Sequence, residues 1–180
     1  MKYMFASDIH GPAYYCEKTL EVFEASGAKR LILLGDLLYH GPRNDLPKEY
    51  APKQVIAMLN EYKDRIYAVR GNCDAEVDEM ISEFKFNDHI LMEINGKKFY
   101  FTHGHKYNIE NIPYDDFDIM IYGHIHQGFI EEKEGLIFAN PGSISLPKCN
   151  TAHSYIILEE NKIILKDVDG KVIQEYQYEK

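Results

Sequence analysis

The sequence is poor in cysteine. Its 180 residues hold three, Cys16, Cys73 and Cys149, odd in number, far apart and in no CxxC pair. That argues against a disulfide framework and suits a reducing compartment. Long apolar runs are missing: nothing approaches the ~18 residues of a membrane span. The opening stretch MKYMFASDIHG carries one lysine and an apolar run cut short by Asp8, too little for a signal-peptide core. Positive charge is scarce, with 20 Lys and Arg against 29 Asp and Glu for a formal charge of −9, and the basic residues are dispersed. A nucleic-acid binder normally shows a basic face. These absences point to a soluble, cytoplasmic protein without a membrane partner or a strong nucleic-acid-binding surface. No repeat, low-complexity tract or linker interrupts the chain, so residues 1–180 read as a single domain able to bury its own core.

What is there alternates. KYMFAS (2–7) reads as a strand, and YYCEKTLEVFEASG (14–27) as a helix closed by Gly27. RLILLG (30–35) is an unbroken apolar strand of the kind buried on both faces. PKQVIAMLNEYKD (52–64) is a helix with Pro52 in its first turn, and RIYAVRG (65–71) a further buried strand. This βαβαβ order implies a parallel sheet with right-handed crossovers. EVDEMISEF (76–84) reads as a short helix. The second half is β-rich: a hairpin in 89–103 about Asn95-Gly96, a strand in 117–123, another hairpin in 129–143, and antiparallel strands over 154–180 expected to complete a second sheet. The fold class expected is α/β, two packed mixed β-sheets flanked by α-helices. YHGPRNDLPKEYAPK (39–53) holds three prolines and reads as a long ordered loop, a type that is often functional.

Each apolar run ends in a turn that carries glycine and Asp, Asn or His. The five are SDIHG (7–11), LGDLLYHG (34–41), RGNCD (70–74), THGHK (102–106) and YGHIHQG (122–128). Ligands of α/β sheets bind outside the carboxyl ends of the strands. Asp8 and His10, His103 and His105, and His124 and His126 are each two apart, so extended geometry would point each pair one way. Any one of these residues alone is more simply a turn, cap or satisfied core residue. Five strand ends together point to metal. Two aspartates, an asparagine and at least four histidines are too many for one ion and suit two. Mixed oxygen and nitrogen donors favour Mn, Fe, Zn, Co or Ni over Mg or Ca.

In this order and spacing, DIH, GD, GN, HGH and GHIH, with NPGS at 140–143, resemble the calcineurin-like metallophosphoesterase superfamily, and within it the small phosphodiesterases. The resemblance implies the four-layer αββα form of the fold and two metal sites. Asp8, His10, Asp36 and His126 would bind one ion; Asp36, Asn72, His103 and His124 would bind the other, with Asp36 bridging through its two oxygens. Gly71 would let the backbone turn sharply enough to present Asn72. The ions would be divalent, manganese first, with Zn2+, Fe2+, Ni2+ or Co2+ as substitutes.

The reaction expected is phosphodiester hydrolysis by a hydroxide bridging the two ions. Two divalent ions, two aspartates and a hydroxide leave a net +1, which suits a diester monoanion better than a monoester dianion. Asp36, Asn72, Cys73 and His105 form the expected catalytic set, with His40 and Arg43 as substrate contacts. Cys73 stands where the superfamily commonly keeps a histidine thought to protonate the leaving group. A thiol is a weak donor, so diesters with good leaving groups are favoured unless a group such as His40 supplies the proton. Three other readings compete: a phosphomonoesterase on the same site, a cysteine hydrolase using Cys73, and a non-catalytic scaffold like the retromer subunit of this shape. The partner expected is a small phosphodiester. Association into a homo-oligomer is compatible with the sequence but not signalled by it.

Overall fold

A computed structural model describes residues 1–179. Twelve strands form two sheets. The first contains β1 (Tyr3–Ala6), β2 (Arg30–Leu33), β3 (Ile66–Val69), β4 (Phe86–Asn87), β10 (Ser154–Glu159), β11 (Lys162–Asp167) and β12 (Val172–Gln177), in the order β12-β11-β10-β1-β2-β3-β4. The second contains β5 (His89–Ile94), β6 (Lys97–Thr102), β7 (Ile119–Tyr122), β8 (Gly128–Lys133) and β9 (Leu136–Pro141), in the order β5-β6-β7-β9-β8. β1 to β4 run parallel, as do β6, β7 and β9. The parallel order of the first half is as its alternation implied.

Side-chain alternation sorts the layers. From the first sheet, Met4, Ala6, Leu31, Leu33, Ala68 and Ile157 face outward to the helices. Their neighbours Tyr3, Phe5, Ile32, Leu34, Val69 and Ile156 face inward onto Phe99, Phe101, Ile119 and Ile121 of the second sheet. Fully burying one such Leu, Ile or Phe contributes about 1.5–3 kcal/mol, so the two layers are the main source of stability. Helix α1 (Ala13–Ser26) buries Cys16, Leu20 and Phe23 on the outer face and ends at Gly27, whose φ of 69° is the left-handed cap that glycine allows. Helix α2 (Pro52–Glu61) buries Val55, Ile56 and Leu59 beside it and is followed by a tight turn at Lys63–Arg65. Helix α3 (Glu76–Ile81) is the short helix expected after RGNCD. No helix among the described residues is long and apolar enough to cross a membrane.

One expectation is corrected. The strands after residue 154 do not complete the second sheet: β10 pairs antiparallel with β1, Met4 opposite Ile157, and so belongs to the first. SYIIL is buried throughout, with Tyr155 and Ile157 toward the helices and Ile156 and Leu158 toward the second sheet. A run that is apolar on both faces needs cover on both, and the strand beside β1 has it. The outermost layer over the second sheet is an irregular segment, 103–118, rather than a helix. Its Ile109 and Phe117 pack with Tyr100, Met120, Tyr122 and Phe138.

The consequence for function is directional. β1, β2 and β3 of one sheet and β6 and β7 of the other all end at one edge of the sandwich, and the five polar turns come directly after those ends.

Candidate metal centre

The turns are held in unusual backbone conformations. Asp8, His10, Asp36, His124 and His126 all have positive φ, between 55° and 70°. Extended geometry is therefore not what aligns Asp8 with His10 or His124 with His126. Left-handed residues other than glycine cost of order 1–3 kcal/mol each and persist where the surroundings hold them. Here hydrogen bonds do so. The β1–β2 ladder continues past both strands, Asp8 N–H donating to the Gly35 carbonyl at 3.1 Å and His10 N–H to that of Asp36 at 2.9 Å. Asp74 accepts N–H donors from Asp36, Leu37 and Gly71 at 2.8, 2.9 and 2.7 Å. Ser143 and Ser145 donate to the Asp8 carbonyl at 2.7 and 3.0 Å, and Asn140 to that of Gly123 at 2.7 Å. NPGS thus buttresses two of the polar turns. Gly71 has an ordinary φ, so its role is space and not turning: a Cβ there would lie 2.1 Å from Asp36 Oδ1.

The side chains form two groups that meet at Asp36. In the first, Asp8, His10 and His126 are almost fully buried. His10 Nδ1 lies 2.7 Å from the Tyr39 carbonyl and His126 Nδ1 2.7 Å from that of Leu146. Both Nδ1 atoms must donate there, leaving lone pairs on the Nε2 atoms, which are only 3.1 Å apart. Asp8 Oδ2 accepts from Ser7 Oγ and His124 N–H. Its Oδ1 is buried with no hydrogen-bond donor, 3.2 Å from His126 Nε2 and 3.6 Å from His10 Nε2. In the second group His103 donates from Nδ1 to the Leu34 carbonyl at 2.6 Å, so in the neutral ring its Nε2 is also a lone pair. Facing it are Asn72 Oδ1 at 3.0 Å, His124 Nδ1 at 3.3 Å and Asp36 Oδ2 at 3.4 Å.

Lone pairs converging on lone pairs repel. A proton relieves one contact at a time, whereas a cation at the centre satisfies all of them. First-row metals bind such atoms at roughly 2.0–2.2 Å, which sets donor atoms roughly 3–4 Å apart. The residues present therefore fit divalent cations, in two groups. Asp36 Oδ1 is engaged by the Cys73 N–H at 2.8 Å, while Oδ2 lies 3.4 Å from His103 Nε2 and 3.8 Å from His10 Nε2. One carboxylate oxygen, not two, faces both groups.

The electrostatics reflect this crowding. Burial raises the cost of charge on Asp8, but His10 and His126 outweigh it and hold its carboxyl well below the usual range. Burial likewise opposes charge on His103, yet the contact with Asp36 and the charge of Asp8 push it up to about 9. His124 moves the other way, down to about 4, through burial and the neighbouring His103. Burial and then the charge of Asp36 push the Cys73 thiol up to about 12. Its hydrogen-bond partner is the Asn72 amide, Nδ2 to Sγ at 3.3 Å, an arrangement that turns Asn72 Oδ1 toward His103.

A cavity of about 450 Å3 opens over both groups, lined by His10, Asp36, Asn72, Cys73, His124 and His126, and on its rim by Tyr39, Arg43 and Lys148. Arg43 is thus where the loop reading put it. His40 is not on this wall; its ring packs against Tyr39 and Tyr50. His105 has a ring centroid 5.4 Å from that of His103 but lines a neighbouring cavity with Arg70, His89 and Tyr107. Gly104, between the two histidines, has a φ of 109°, and the His105 ring also lies 6.2 Å from that of His124. Asp74 and Lys148 escaped the sequence reading as site residues. Asp74 stood in RGNCD, but the backbone donors it collects are mostly some 40 residues away in sequence.

The fold and this constellation define a phosphoesterase of the calcineurin type. The profile of the calcineurin-like phosphoesterase superfamily domain matches residues 1–162, and the chain belongs to that family. Among curated relatives it is 44% identical over 165 residues to phosphodiesterase YfcE of Escherichia coli K12, covering 89% of each chain. It is 30% identical over 166 residues to the probable metallophosphoesterase YsnB of Bacillus subtilis, covering 88% of this chain and 83% of that one. The solved structure of E. coli YfcE, a phosphoesterase, superposes with a TM-score of 0.95 at 40% identity, over 98% of this chain and 99% of that one. Vps29 of Entamoeba histolytica shares the fold at a TM-score of 0.69 and 20% identity, over 99% of this chain and 100% of that one.

Proposed function

We propose that this protein is a phosphodiesterase that works with two divalent cations, manganese first among them. The observation that carries the reading is the pair of lone-pair clusters sharing Asp36 Oδ2 beneath one open cavity. The resemblance to YfcE supplies the reaction class. Vps29 shares the fold, so the fold alone does not separate enzyme from scaffold; the filled donor set favours the enzyme.

Asp8, His10, His126 and Asp36 would hold one ion, and Asp36, Asn72, His103 and His124 the other. Divalent cations held there would lower the pKa of water toward neutrality and offset charge on a phosphoryl group. The chain's own residues do the rest. Nδ1–H donation to backbone carbonyls fixes His10, His103 and His126 with Nε2 forward. The Cys73 N–H keeps Asp36 Oδ1 occupied and leaves Oδ2 for the shared position. Cys73 stays protonated, which fits a weak proton donor and not a nucleophile. The three cysteines, none bonded to another, suit the cytoplasm.

A screen of the chelated protein, reloaded with single divalent ions against mono- and diesters, tests the reading. Hydrolysis of activated diesters restored best by Mn2+ is expected. Monoesters cut while diesters are spared would overturn the diester assignment. Failure to bind Mn2+ or to hydrolyse any activated diester would revive the scaffold reading. Cys73→His sharpens the leaving-group argument: it should raise the rate on alkyl diesters more than on aryl ones, and an equal effect on both would sink it.

A further inference from the structure

Two cations at the rim have no partner. Lys148 and Arg43 line the cavity that holds the candidate metal ligands, and neither has a carboxylate within ion-pair distance among the described residues. What sets these two apart is their place: they are the Lys and Arg that line this cavity. Both side chains are exposed, while the backbone that carries them is tied down. Lys148 N–H donates to the His126 carbonyl at 2.9 Å, tying its backbone to a candidate metal ligand. The Arg43 loop is pinned by Asn44 Nδ2 donating to the His40 carbonyl at 2.7 Å.

The reacting phosphate has no need of them. In the proposed function the two ions already leave a net positive charge for a diester monoanion. Two further cations on the same cavity would overcompensate a substrate with one negative charge. The volume, about 450 Å3, also exceeds what a phosphate group alone fills and is in the range that holds a whole small molecule. Exposed Tyr39 beside Arg43 gives the rim a flat apolar surface for the body of such a molecule.

We infer that the substrate is a phosphodiester bearing a second anionic group, phosphate or carboxylate, on the arm that extends from the metal centre to Arg43 and Lys148. This rests on the phosphodiesterase reading and narrows its substrate class. The guanidinium can take that group through two parallel N–H bonds and the lysine through a point charge.

The test uses three p-nitrophenyl phosphodiesters with the same leaving group, whose other arm is methyl, carboxymethyl or 2-phosphoethyl. With the Mn2+-loaded protein, kcat/KM should be at least about tenfold higher for an anionic arm than for methyl, chiefly through KM. The better of the two anionic arms identifies the group. In Arg43→Ala and Lys148→Ala the ratio of charged to methyl ester should fall by about tenfold. A second readout is free of catalysis: calorimetric binding of 2-phosphoethanol to the chelated protein should weaken in both variants. Equal kcat/KM on all three esters in the wild type, or equal losses on all three in the variants, would overturn the inference while leaving the phosphodiesterase reading intact. Failure to cut even the methyl ester with any divalent ion would instead bring down that reading.

Discussion

The two halves of the candidate centre are built to different standards. Around Asp8, His10 and His126 every side chain is buried, both imidazoles are locked by backbone carbonyls, and Ser7, Ser143 and Ser145 brace Asp8. Around Asn72, His103 and His124 only His103 has that treatment. Asn72 is exposed, His124 is half-buried, and His124 faces the centre with Nδ1 while the others use Nε2. A preorganised donor set loses little on binding; a mobile one must be ordered first. The first half is therefore the better preorganised candidate site, and the second is the one more open to solvent, where a bound ion should exchange faster.

The sharpest way to break this contrast is to remove what the halves share. Asp36→Asn keeps an acceptor for the Cys73 N–H but halves the charge logic of both sites. We expect activity to fall by about a thousandfold or more and bound metal to drop below two equivalents, read by elemental analysis. Next come matched changes, one per half. His126→Gln should cost about 100-fold in affinity for the tighter ion. His124→Gln should abolish only the weaker binding step in a calorimetric titration. Identical titrations for the two variants would erase the distinction.

Smaller effects come from the scaffold. Asp74→Ala leaves three backbone N–H groups without an acceptor. That should cost about 3 kcal/mol, a Tm lower by about 6–12 °C, with the second half affected most because Gly71 and Asp36 both lose their anchor. The smallest effect is a pH dependence of the chelated protein. His103 is raised in the folded state, so its contribution is complete below the unfolded value near 6.5 and is lost as pH rises toward about 9. His124 is lowered, so its contribution is complete above about 6.5 and is lost as pH falls toward about 4. Without metal, the stability difference between wild type and His103→Gln, read by denaturant titration, should shrink as pH rises from about 6.5 to about 9. Parallel curves would show that His103 carries no such charge.

Much of this was legible in the chain because it is local. Apolar runs ending in GD, GN or GHIH announce both a buried strand and the polar turn at its carboxyl end, so β1, β2, β3, β6 and β7 and the seven candidate donors can be read together. What depended on distant packing was not. The placement of β10 turned on which strand had cover on both faces, and the alternation within SYIILE says nothing about that. His105 and His40 had the right residue type, but backbone geometry on either side of Gly104 and the Tyr50 ring decided where they lie. Lys148 sits in an irregular segment with no patterned neighbour, and only the cavity wall reveals it.

The pairing of β1 between β2 and β10 has a consequence during synthesis. β1 is made well before β10, so one of its two edges is filled only when residues 154–159 arrive. At roughly 5–20 residues per second that is a wait of roughly 7–30 s. For most of that interval Asp8 and His10 lack the imidazole of His126 and the side chains of Ser143 and Ser145 that brace Asp8. A chain truncated before NPGS should therefore bind divalent cations poorly compared with the full chain.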